Sequence, residues 1–101
     1  LSHKINIKDY QFYQALTRYP CIEAIWLFGS RARQDNQERA DIDLAVLCPK
    51  ARFEDWCQIE DTVDNADTLL KIDLVRLDAL PDSSALKISI LKEGIKLYEQ
   101  S

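Results

Sequence analysis

Methionine is absent from these 101 residues, histidine occurs once and glycine twice. Each scarcity excludes something. Without methionine, the initiator is expected to have been removed or to lie outside this sequence. His3 has no second imidazole with which to build a ligand set and reads as a solvated tail residue. The three cysteines, Cys21, Cys48 and Cys57, are odd in number and lack Cys-x-x-Cys spacing, which argues against a disulfide framework and a zinc site. They read as small hydrophobes in a reduced, cytoplasmic interior. No apolar run approaches the roughly 20 residues of a membrane span and no signal-peptide pattern opens the chain, so no membrane partner is expected.

Positive charge is also in short supply. Thirteen Lys and Arg stand against 17 Asp and Glu, a net charge of -4, which disfavours a grip on a phosphate backbone, so no nucleic-acid partner is expected. What remains is ordinary for a folded protein: 47% hydrophobic and 30% charged residues suit one domain over residues 1–101 built on one core.

Periodicity predicts the elements. Phe12, Ala15, Leu16 and Tyr19 recur at helical intervals within Asp9 to Tyr19, and Pro20 stops that helix. Ile22 to Phe28 reads as a strand that breaks at Gly29-Ser30 into a short helix or loop. Gln34 to Ala40 is a polar connection, and Asp41 to Leu47 is a second strand ended by Pro49. Phe53, Trp56, Ile59 and Val63 mark an amphipathic helix over Arg52 to Ala66. Leu70 to Leu77 is a third strand, Ser83 or Ser84 caps a helix running to Glu93, and Gly94 is expected to end it in a left-handed conformation. Ile95 to Tyr98 closes the chain as a short strand. The alternation predicts an α/β or α+β sheet covered by helices. Glu54, Asp55, Glu60, Asp61, Asp64 and Asp67 read as a solvated face on or beyond the second long helix.

Three features resist a purely structural explanation. Gly29 ends an apolar strand directly before Ser30, where a missing side chain would let the backbone approach a phosphate with N–H groups and a hydroxyl as donors. An ordinary strand-to-helix turn with a serine cap is the plainer alternative. After ten intervening residues come Asp41 and Asp43. Separated by one residue on a strand, they face the same side and can share a cation; unpaired, two carboxylates about 4 Å apart repel by roughly 4 kcal/mol at an effective dielectric of about 20. Asp43 precedes Leu44-Ala45-Val46-Leu47, and Asp73 is the one acid in the middle of its strand. A charge within an apolar strand is costly without a partner. If the two strands pair with polar faces aligned, three carboxylates converge on one centre suited to Mg²⁺. For Asp73 the plainer alternative is a solvated face or an ion pair with Lys71.

Gly29-Ser30-Arg31-Ala32-Arg33, Ala40-Asp41-Ile42-Asp43-Leu44-Ala45-Val46, Ile72-Asp73-Leu74-Val75 and the closing Glu93-Gly94-Ile95-Lys96-Leu97-Tyr98 together resemble the minimal nucleotidyltransferase family of the DNA polymerase beta-like superfamily. The resemblance spans nearly the whole chain and implies a mixed-sheet, palm-type α+β fold. It implies further that Gly29 and Ser30 hold a triphosphate, that Arg31 and Arg33 contact phosphate, and that Asp41, Asp43 and Asp73 bind Mg²⁺, two ions during turnover. Asp73 would also help deprotonate an acceptor hydroxyl. The expected reaction is transfer of a nucleoside monophosphate, AMP from ATP, to a hydroxyl on a HEPN-domain toxin partner, which makes this chain the antitoxin of a pair. Two alternatives stay open: a non-catalytic module that neutralises a partner by contact, and an adenylyltransferase acting on a small molecule such as an antibiotic. Gln34 stands where many family members carry glycine, which leaves the conformation of that loop to be settled.

Overall fold

A computed structural model describes residues 6–37 and 39–101; His3 lies outside them. Four strands form one sheet: β1 (Ala24–Phe28), β2 (Ile42–Leu47), β3 (Ile72–Arg76) and β4 (Ile95–Glu99), in the order β3-β2-β1-β4. β1 pairs antiparallel with both β2 and β4, whereas β2 and β3 run parallel. A parallel pair cannot be joined by a tight turn. The crossover is supplied by helix α3 (Phe53–Asp64), while α1 (Gln11–Leu16), α2 (Ser30–Arg33) and α4 (Ala85–Glu93) complete the α-helices of the described residues. The mixed sheet covered by helices agrees with the expected α+β palm.

Strand alternation sorts the core into two layers. Ile25, Leu27, Ile42, Leu44 and Val46 face one side, where Phe12, Tyr13 and Leu16 of α1 and Ile59 and Val63 of α3 cover them. Fully burying an aliphatic side chain of this size stabilises by roughly 1.5–3 kcal/mol, so this layer dominates the fold. Ala24, Trp26 and Ala45 face the other side, where they meet Ile90 of α4 and Leu77. Asp43 and Asp73 share that second face by alternation. They sit toward the end of the sheet next to Gly29, past the residues that α4 covers.

Several elements depart from expectation for tertiary reasons. The first helix is shorter than Asp9 to Tyr19: a single 3₁₀ turn at Ile7–Asp9 precedes an extended Tyr10, and α1 begins at Gln11. Its first turn is capped from a distance, because the Asp67 carboxylate accepts the Gln11 N–H at 3.0 Å and the Phe12 N–H at 3.1 Å. Asp67 is therefore a cap and not merely part of a solvated face. Asp55 likewise accepts the Arg52 N–H at 2.9 Å at the start of α3. Phe53, expected on the apolar face of α3, is exposed.

Gly94 is extended (φ -70°, ψ 157°) and not left-handed. The reason for glycine is space: a Cβ there would run into the Ile90 carbonyl oxygen and lie 3.3 Å from that of Leu27. Of the cysteines, Cys48 is buried, Cys21 half-buried and Cys57 exposed. Burial pushes the Cys48 thiol up to about 12, with the nearby Asp78 carboxylate adding to the effect. It behaves as the small hydrophobe expected, whereas Cys57 is not core filler.

Candidate active site

Gly29 turns the chain out of β1 with φ 74° and ψ -155°, a region that residues with a side chain almost never occupy. A Cβ at this corner would collide with the Asp43 carboxylate. Glycine is thus required twice, by backbone conformation and by the acid packed against it. Ser30 follows as the first residue of α2.

The single turn of α2 ends at Gln34, which takes a left-handed conformation (φ 63°). The Gln34 N–H donates to the Arg31 carbonyl at 3.3 Å and the Asp35 N–H to that of Ser30 at 3.1 Å, the closing pattern that glycine usually serves at a helix end. The loop therefore keeps its shape with glutamine in the glycine position, at a conformational cost.

β2 and β3 pair with Asp43 directly beside Asp73. On the other side Asp43 faces Phe28, the residue before Gly29. Burial, the Asp73 charge, a hydrogen bond with Asp73 and the Asp41 charge all hold the Asp43 carboxyl above the usual carboxylate range; Arg33 pulls it partly back. Asp73 also has Lys71 Nζ 3.5 Å from its Oδ1, so the ion pair foreseen as its plainer alternative is present beside the pairing with Asp43. Asp41 lies one residue before β2 and is exposed. Its two neighbours are anchored: the Ala40 carbonyl accepts from Arg31, and the Ile42 N–H donates to the Lys71 carbonyl at 2.9 Å.

Gly29, Ser30, Asp43 and Asp73 thus meet at one end of the sheet, with Asp41 at the rim. Arg33 projects close enough to act on Asp43 while its Nε lies 3.1 Å from Asp35. Arg31 instead turns toward Ala40, a contact that no spacing in the sequence announces. Among the described residues, no group of three acidic, thiol or imidazole side chains is gathered in a geometry that would hold a metal ion on its own. A hard divalent ion such as Mg²⁺ keeps several waters and takes one or two carboxylates plus substrate phosphates. The donor set fits such a hard cation. Oxygen ligands alone are offered, and burial together with the Asp73 and Asp41 charges, which hold the Asp43 carboxyl above its usual range, marks negative charge that a divalent ion would offset.

Residues 11–101 match the polymerase beta nucleotidyltransferase family. No curated protein matches the sequence. Among solved structures, the chain is similar to a toxin–antitoxin crystallised with AMP-PNP, at 24% identity over 90% of this chain and 75% of that one, with a TM-score of 0.59. It is also similar to a mutant of the toxin–antitoxin MntA-HpeT, at 23% identity over 97% of this chain and 76% of that one, with a TM-score of 0.65. At these identities the likeness establishes a shared fold.

Proposed function

The chain belongs to the polymerase beta nucleotidyltransferase family, and from that premise we propose that it transfers AMP from ATP to a hydroxyl on a HEPN-type toxin partner, acting as the antitoxin of the pair. The observation that carries the reading is the in-register placement of Asp43 beside Asp73 at the Gly29 corner. The similar toxin–antitoxin structures, one of them with AMP-PNP, support the choice of nucleotide and the kind of partner.

In this reading Asp41 and Asp43 hold Mg²⁺, with Asp73 completing the site. The bound cation supplies charge neutralisation at the phosphates and lowers the cost of deprotonating the acceptor. Gly29 keeps the corner open so that backbone N–H groups and the Ser30 hydroxyl can donate to phosphate oxygens. Arg33, whose charge acts on Asp43, supplies positive charge to the same phosphates. Asp73 accepts the proton of the attacking hydroxyl, whose oxygen forms the new bond to the α-phosphorus. The bond to the bridging oxygen breaks, and pyrophosphate leaves with the electron pair. Alignment of the hydroxyl with that bond provides much of the acceleration.

Intact-mass measurement of the partner after incubation with this chain, Mg²⁺ and ATP tests the proposal. An AMP adduct is expected, and Asp43→Ala should abolish it. A partner that binds tightly yet stays unmodified would replace transfer by neutralisation through contact.

A further inference from the structure

Arg31 invites assignment as a phosphate ligand because it follows Gly29-Ser30, yet its guanidinium is committed elsewhere. Nε donates to the Ala40 carbonyl oxygen at 3.1 Å and Nη2 donates to the same atom at 2.7 Å. Ala40 immediately precedes Asp41 in the sequence. On the far side of Asp41, the Ile42 N–H is held by the Lys71 carbonyl at 2.9 Å. Asp41 itself lies outside β2 and is exposed, so neither ladder pairing nor packing fixes its backbone. What fixes it is one hydrogen-bonded peptide on each side.

We infer that Arg31 is a positioning residue, clamping the Ala40 carbonyl so that α2 at the Gly29 corner and the Asp41 carboxylate keep one fixed spacing. This rests on the nucleotidyl-transfer reading of the site. Arginine suits the task because its planar fork delivers two donors to one oxygen, which a lysine ammonium at the end of a flexible stem does not reproduce. The division of labour between the two arginines follows: Arg33, whose charge reaches Asp43, serves the phosphates, and Arg31 serves the backbone that carries Asp41.

Mn²⁺ affinity of the nucleotide-free chain, followed by electron paramagnetic resonance, separates the two roles. Removing a cation beside a divalent site by itself strengthens metal binding, so a phosphate-contacting arginine predicts unchanged or tighter Mn²⁺ binding in Arg31→Met. The clamp predicts the opposite: binding weaker by about 10–100-fold, the range for losing a residue that orients a ligand. Arg33→Met, which removes a nearby charge and leaves the clamp, should bind Mn²⁺ no more weakly than wild type. Arg31→Lys, which keeps the charge and one donor, should fall between, and it carries the test if Arg31→Met fails to fold.

A second readout needs no metal. The Asp41 amide should have an NMR order parameter near the rigid value of about 0.85 in wild type and below about 0.6 in Arg31→Met. If wild type binds no Mn²⁺ even with a non-hydrolysable ATP analogue present, the metal-site reading fails while this order parameter still decides the clamp. An order parameter unchanged in Arg31→Met, or Mn²⁺ binding no weaker there than in wild type, overturns the inference.

Discussion

Asp43→Asn should stabilise the metal-free protein at neutral pH while destroying its response to Mg²⁺. Asp43 and Asp73 are register partners on neighbouring strands, and such strands lie about 4.8 Å apart. Two carboxylates at about 5 Å repel by roughly 3 kcal/mol at an effective dielectric of 20 and by about 0.8 kcal/mol in water. The Asp73 side chain is 43% exposed and has Lys71 3.5 Å away, so screening places the value near the lower end, about 1 kcal/mol.

The sign follows from the titration. Burial and then Asp73 hold the Asp43 carboxyl above its ordinary value; a group raised in the folded state contributes stability at low pH that is lost as pH rises through its folded pKa. Metal-free wild type should therefore lose stability between the unfolded value of about 3.9 and neutrality, and Asp43→Asn should not. In EDTA, thermal melts followed by circular dichroism should give the variant a Tm about 4–8 °C higher at pH 7.5, the two proteins converging below pH 4. Added Mg²⁺ should raise the Tm of wild type alone. A variant that melts below metal-free wild type at pH 7.5 would refute the reasoning, because the carboxylate would then be satisfied by contacts within the protein.

Three further outcomes are expected. Gly29→Ala forces a Cβ into the Asp43 carboxylate at a positive φ, so it should cost about 1–3 kcal/mol for conformation alone and weaken Mn²⁺ binding by displacing Asp43, both measurable by urea melts and metal titration. Gln34→Gly relieves the left-handed strain at φ 63°, worth about 1–2 kcal/mol, against an entropic cost of roughly 0.5–1 kcal/mol; a net gain of about 0.5 kcal/mol should appear as a small rise in Tm. Asp67→Asn removes the carboxylate that accepts two N–H groups of α1. Those bonds, the one from Gln11 first, hold Asp67 below its usual range, so the wild-type advantage in Tm should be present near neutrality and vanish as pH falls through that lowered value.

The features legible in the sequence were those decided by local pattern. The lone acid in Ile72-Asp73-Leu74 suggested that β3 would lie beside β2 with polar faces aligned, whereas Asp41, expected to share a strand face with Asp43, lies one residue before β2. The structure has that pairing, with Asp43 and Asp73 as register partners. What the sequence hid depends on closure of the chain. Asp67 caps a helix 55 residues earlier, Gly94 is dictated by the nearness of the Ile90 and Leu27 carbonyls and not by its own φ, and Arg31 bends back to a carbonyl nine residues on. Arg76 is a similar case. It bonds Asp78 and the carbonyls of Cys48 and Ala51 and lies over the Trp56 ring, tying β3 to the start of α3. None of these contacts leaves a period or spacing to read.

The most direct measurement is anomalous diffraction from crystals grown with Mn²⁺ and a non-hydrolysable ATP analogue. The account predicts a manganese peak bonded to Asp41 and Asp43, with the triphosphate at the Gly29-Ser30 corner and Asp73 at the same centre. Nucleotide bound without metal at these aspartates, or manganese held elsewhere on the chain, would contradict it.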